Sequence, residues 1–170
     1  NYINNWDYMY NHTSIGATIY QRWFDNIEEL VWEDDFGKDD ELYIWPYYNK
    51  LAELIIKQPH SHWFDNNKTE EVETFNIISQ RAFKQSIAQL FDEYGTIKEN
   101  WQWQYVQGTD ILHIAKIPGF GNLRIKTSGG ALVPNATGKY FGPSWRYAVE
   151  MKEDIIAYGI YPGGQSGYPG

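Results

Sequence analysis

Apolar side chains recur every three to four residues through roughly the first hundred positions and every second residue near the far end, so the chain reads as helical first and β afterwards. After Asn11, Thr13 and Ser14, all residue types that cap helices, the side chains of Ile15, Ile19, Trp23, Ile27 and Leu30 share one face. They predict an amphipathic helix running to the acidic residues that begin at Glu33. A second helix is expected with Pro46 near its first turn, Tyr48, Leu51 and Ile55 on one face, and Pro59 as its stop. The third has the plainest stripe: Val72, Phe75, Ile78, Ala82, Phe83, Ile87, Leu90 and Tyr94. Asn67 is placed to cap it, Glu70, Glu71 and Glu73 suit the positive end of its dipole, and Gly95 stands where a C-terminal glycine belongs. At about 1.5 Å per residue such a helix is on the order of 40 Å long and asks for a large body to lie on.

From Trp101 the period shortens to two, and Gly and Pro become frequent, which predicts strands joined by ordered loops. Trp101, Trp103 and Tyr105 alternate as on one strand face, which serves equally as a core face or as a platform. Further on, Trp145, Tyr147, Val149 and Met151 point one way and Arg146, Ala148 and Glu150 the other; a polar turn at 152–154 leads into the run IIAYGIY. That run is apolar on both faces, the pattern of a strand covered on both sides, and a lone hairpin has nothing to cover it with. The fold class expected is therefore α+β, with a helical segment at 1–100 and a β-rich segment at 101–170, both parts of one larger domain, and a single linker candidate at 95–100.

Composition narrows the chemistry. With a formal net charge of -8, the 170-residue chain lacks the clustered Lys and Arg that phosphate backbones require, so nucleic acid is a poor partner. Cysteine is absent, which removes disulfides, zinc–thiolate sites and thiol catalysis. No apolar run approaches the roughly 20 residues needed to span a bilayer, so no membrane partner is expected.

Each local motif has a plain reading beside a chemical one. The carboxylates of EDDFGKDDE, from Glu33, lack the alternating ligands, central glycine and closing glutamate of a calcium loop and read as a solvated acidic loop. His60, His62 and Asp65 in HSHWFD are ligand types, but the flanking proline and aromatics favour a packed turn between helices over a metal site. Ser144 or Ser166 with His113 would make a nucleophile and base. Neither serine completes the glycine-flanked elbow of a serine hydrolase, and His113 reads as a hydrogen-bonded, partly buried side chain. GFGN, from Gly119, is too short for a dinucleotide fingerprint. Eight Trp and fourteen Tyr admit a glycan-binding module that stacks sugars on exposed rings.

The far end carries more. Gly129-Gly130 and Asn135-Ala136 precede Gly142-Pro143-Ser144-Trp145-Arg146; then come the hairpin and Tyr161-Pro162-Gly163-Gly164-Gln165-Ser166-Gly167. In order and separation these closely resemble the C-terminal part of the β-chain in the penicillin amidase family, N-terminal-nucleophile acylases with a four-layer αββα fold. GATIYQRWFDNI, from Gly16, resembles the family's helical region. Where the family continues with asparagine and proline after Gln165-Ser166-Gly167, Tyr168 stands here.

The resemblance implies a parent amidohydrolase. A terminal serine attacks a linear amide, its own α-amine serves as base, and an acyl-enzyme is then hydrolysed. The nucleophile belongs to the start of the β-chain, upstream, and Asn1 is none, so no catalytic residue is carried onto this chain. What is carried over is the motif set Gly142, Pro143, Ser144, Trp145, Arg146, Gly164, Gln165, Ser166 and Gly167. The expected role is architectural: Trp145 and its strand, with the return strand 155–161, complete a core sheet, and Arg146 pairs with a carboxylate. The alternative places the 162–167 loop beside the acyl pocket. Partners implied are the acylase α-chain, the upstream β-chain and a small amide substrate. No cofactor is implied, calcium in relatives takes ligands outside this stretch, and location would be periplasmic or secreted. A degenerate acylase scaffold used for binding is the remaining alternative.

Overall fold

The computed structural model describes residues 1–37, 44–113, 115–143 and 145–160. The chain is α+β, as its patterning predicts: helices come first and two small antiparallel sheets follow. It divides into two compact units. One comprises Ile19–Thr96; the other unites Asn1–Thr18 with Ile97–Gly170.

The helical unit is built from most of α1 (Ile15–Phe36), α2 (Tyr48–Lys57), a 3-10 turn at His62–Phe64 and α3 (Phe75–Tyr94). Its core joins Ile27, Val31 and Trp32 of α1, Leu51 and Leu54 of α2, Phe64 of the turn, and Ile78 and Ala82 of α3. Burying each large side chain contributes about 1.5–3 kcal/mol, so this cluster is the main cohesive term of the unit. A polar network crosses it: the Asn26 amide donates to Ser86 Oγ at 2.8 Å and to Gln89 Oε1 at 3.0 Å, and Ser86 in turn donates to the Ala82 carbonyl at 2.7 Å. Buried groups paired in this way fix which faces of α1 and α3 meet.

The helix boundaries depart from expectation in two places. Helix α1 runs through Phe36, so Glu33, Asp34 and Asp35 are helical; the rest of the expected acidic loop lies outside the described residues. Helix α3 starts at Phe75 after Thr74, seven residues later than an Asn67 cap implies, and at about 1.5 Å per residue its 20 residues span roughly 30 Å. Glu73, expected in the first turn, is instead buried. It accepts the Asn66 N–H at 3.1 Å and pairs with Arg81, while its own N–H donates to Asp65 at 2.8 Å. Side chain–backbone bonds to Asn and Asp have displaced the helix start, and Val72 is left exposed. The other end is as predicted: Gly95 takes φ +72° and returns its N–H to Phe91.

The second unit begins on the amino-terminal segment. The Trp103 N–H donates to the Ser14 carbonyl at 3.1 Å, that of Gln104 to His12 at 2.8 Å, and that of His12 to Ser128 Oγ at 3.0 Å. The expected strand through Trp101, Trp103 and Tyr105 is not formed. Lys98–Trp101 is a 3-10 turn and α4 (Trp103–Val106) a single helical turn, with Trp101 and Trp103 buried and Tyr105 exposed. The alternation arose from two successive tight turns, each turning one tryptophan inward. Strands follow: β1 (Thr109–Ile111) pairs antiparallel with β2 (Asn122–Ile125) through a bulge, and β3 (Arg146–Glu150) with β4 (Ile156–Ile160) in regular register from Arg146↔Ile160 to Glu150↔Ile156. The expected hairpin is present. Both its faces are exposed: Tyr147, Val149 and Met151 on one, Ile156, Tyr158 and Ile160 on the other.

Candidate functional site

The family-like motifs meet around residues 128–146. Gly129 sits at φ +98°, a conformation costly for any residue with a Cβ; its N–H donates to the Tyr10 carbonyl at 2.7 Å, and its carbonyl accepts the Trp103 indole at 2.6 Å. A Cβ at Gly129 would lie 2.0 Å from the Asn135 carbonyl oxygen. Its absence lets that carbonyl approach and accept the Gly130 N–H at 3.2 Å, while the Thr137 N–H donates back to Gly130 at 3.2 Å. The Ser128 carbonyl closes the loop by accepting from Asn135 Nδ2 at 2.7 Å and from Thr137 Oγ1 at 3.2 Å.

Asn135 also faces outward. Its Oδ1 accepts a hydrogen bond from the Arg146 guanidinium, so one amide side chain joins the Gly129-Gly130 loop to the first residue of β3. The sequence expectation gave Arg146 a carboxylate; the structure gives it an amide oxygen, and no acidic partner among the described residues. Gly142 and Pro143 lead into β3 along the wall of a cleft of about 440 Å³, which Ile111, Ile125 and Ile160 also line and onto which Arg146 opens. Trp145 stacks on Tyr147 at 4.9 Å, and both rings are exposed. Ser144, Gly164, Gln165, Ser166 and Gly167 lie outside the described residues.

The other candidates lie apart from this cluster. His60 and His62 are exposed, His62 rests on the Trp63 ring at 4.9 Å, and Asp65 serves the Glu73 backbone. Among the described residues no three His, Cys, Asp or Glu converge as metal ligands. His113 is half-buried, accepts the Ala115 N–H on Nδ1 at 3.2 Å and packs on Phe120. Sequence reading missed one serine–histidine neighbourhood: Ser128 Oγ lies 3.4 Å from His12 Nδ1. That hydroxyl already accepts the His12 backbone N–H, and no described carboxylate is bonded to the ring, so the pair acts as a clasp, not as a nucleophile and base. A separation of 116 residues hid it from sequence. Of the three aromatics left open between a core face and a platform, Trp101 and Trp103 are buried in the core and Tyr105 is exposed.

The sequence model of the penicillin amidase family matches residues 1–170. No curated protein and no solved structure matches the chain. Glycine, asparagine and arginine in the family-like order thus form one hydrogen-bonded cluster beside a β-hairpin, and the match covers the whole chain. The chain belongs to the penicillin amidase family, a family of amide-hydrolysing acylases.

Proposed function

We propose that this chain is the C-terminal portion of a penicillin-amidase-like acylase that hydrolyses a linear amide through an acyl-enzyme on an N-terminal nucleophile upstream. Its own part is architectural. The observation that carries this reading is the β3–β4 hairpin, whose apolar side chains stand exposed on both faces and whose outer edges are unpaired among the described residues. Two exposed apolar faces on a two-stranded sheet favour a place inside a larger layered body, which the acylase α-chain and the upstream β-chain would supply. Asn135 and Arg146 would then fix the angle at which the hairpin leaves the Gly129 loop. Periplasmic or secreted location and a small amide substrate go with the same reading.

The test is direct. The parent protein is expressed at full length and the N-termini and intact masses of its mature chains are determined. A chain that begins at serine, threonine or cysteine and contains this sequence supports the acylase mechanism; one uncleaved chain with no amidase activity overturns it in favour of a degenerate scaffold. Arg146→Ala in the same protein should lower the yield of mature chains. Normal maturation with altered acyl preference would place the arginine at the substrate instead.

A further inference from the structure

The β1–β2 hairpin presents a surface that the architectural role does not use. Its connection is held by its own turns: the Lys116 N–H donates to the His113 carbonyl at 2.7 Å, that of Phe120 to Ile117 at 3.2 Å, and that of Ala115 to His113 Nδ1 at 3.2 Å. Yet Leu112, Ile117, Phe120 and Leu123 are between 42% and 59% exposed, so an ordered segment holds large hydrocarbon side chains in water. None of the four lines the cleft toward β3–β4. Beside them stand Lys116, Arg124 and Lys126, all exposed. Lys116 and Arg124 sit at φ +52° and +53°, where a side chain is strained, and Asp110 Oδ1 fixes the second by accepting the Arg124 N–H at 2.7 Å. No carboxylate pairs with any of the three cations among the described residues, and Lys126 lies over the exposed Tyr105 ring at 5.6 Å. The sequence keeps acids away. Between Asp110 and Glu150 it places Lys116, Arg124, Lys126, Lys139 and Arg146 and no Asp or Glu, in a chain whose formal net charge is -8.

From this we infer that the β1–β2 hairpin docks on an anionic lipid surface, its apolar side chains entering the headgroup boundary and its three cations meeting lipid phosphates. Charge decides the partner: cations without anions, set among exposed hydrocarbon, are the composition of segments that lie in a bilayer interface. Shape favours lipid over an acidic protein. The apolar side chains stand out from a tight connection, and fluid headgroups accept such a tip without a matching pocket. No described helix is long and apolar enough to cross a membrane, and the expectation of no membrane partner rested on spanning length alone, which a surface-lying hairpin does not need. The acidity of the rest of the chain opposes docking little, since exposed charges more than about 8 Å apart are largely screened at physiological ionic strength.

The full-length parent protein is sedimented with vesicles of phosphatidylcholine alone and with vesicles containing about one-third phosphatidylglycerol. It should bind the anionic vesicles about tenfold or more tightly than the neutral ones, and the difference should vanish in about 1 M salt, where the Debye length is about 3 Å. Lys116→Gln, Arg124→Gln and Lys126→Gln together should weaken binding about a hundredfold, at about fivefold per charge. Ile117→Ser with Phe120→Ser, which leaves the charge unchanged, should weaken it about tenfold or more. No binding to the anionic vesicles, equal binding to both kinds, or binding that either variant leaves unchanged overturns the proposal. The first of these is the result expected if protein, an acidic partner or the acylase body, covers the hairpin. The comparison of the two vesicle types on the wild type decides this even where a variant fails to fold. Sedimentation is read without turnover, so a failure here is distinguishable from a failure of the acylase reading.

Discussion

Replacing Gly129 by alanine perturbs the tightest point of the motif cluster. Two costs are separable. An L-residue at φ +98° costs about 1 kcal/mol relative to glycine. The new methyl would also fall 2.0 Å from the Asn135 carbonyl oxygen and 2.7 Å from its Nδ2, so the 135–137 segment must withdraw. Withdrawal breaks the Gly130 N–H bond to Asn135 and the Asn135 bond to Ser128, each worth about 1 kcal/mol. The expected loss is about 3 kcal/mol. In urea, with slopes of about 1–3 kcal/mol per molar, the midpoint falls by roughly 1–3 M. The Trp103 indole N–H resonance, bonded to the Gly129 carbonyl, serves as the local reporter and should move or broaden in native buffer. Gly95→Ala is the control. It has the same sign of φ, and nothing lies within 4 Å of its added Cβ, so it should cost only the strain, about 1 kcal/mol. A Gly129→Ala loss no larger than that of Gly95→Ala, with the Trp103 resonance unmoved, would refute the steric argument.

Three further outcomes are expected. Arg81→Met strands the buried Glu73 carboxylate and should lower stability by about 2–3 kcal/mol, tempered by the partial exposure of Arg81; adding Glu73→Met should restore much of the loss, as a double-mutant cycle on Tm would read. Ser14→Ala removes the hydroxyl that accepts the Ala17 N–H at 3.1 Å at the start of α1, and should cost about 1 kcal/mol in denaturant titration. Asp34 has a buried Oδ2 with no hydrogen-bond partner, and burial, then the neighbouring Asp35 charge, pushes its carboxyl above the ordinary 3.8 despite opposing backbone donors and Lys68. The native state therefore holds this proton to higher pH than the unfolded chain does. Its contribution to stability falls as pH rises from 3.8 through the raised native value and is constant beyond it. Asp34→Asn should gain in Tm over the wild type as pH is raised across that window, and a difference flat with pH would refute the sign.

Several elements were legible in the sequence because their causes are local. Ser14 ahead of a 3.6-residue stripe, proline on either side of α2 and glycine after Tyr94 set helix ends through backbone groups within a turn. Strict alternation with a polar turn made the β3–β4 hairpin readable, including its doubly apolar return strand. The order of glycine, asparagine and arginine pointed to the family. The start of α3 and the tryptophan turns were misread for the complementary reason. A period of two over three residues fits a strand or two tight turns equally, and long-range partners chose the turns: the Ser14 and His12 carbonyls take the Trp103 and Gln104 N–H groups.

The sequence by itself determined the class of element at each place and the residues able to form a motif, since periodicity and capping act over a few residues. Tertiary structure alone decided what those residues do to one another. It placed Asn135 between the Ser128 carbonyl and the Arg146 guanidinium and let the Asn135 backbone close on Gly129 where no Cβ intrudes. Hydrogen bonds and steric exclusion act over a few ångströms of space, and the chain brings those atoms together only by folding.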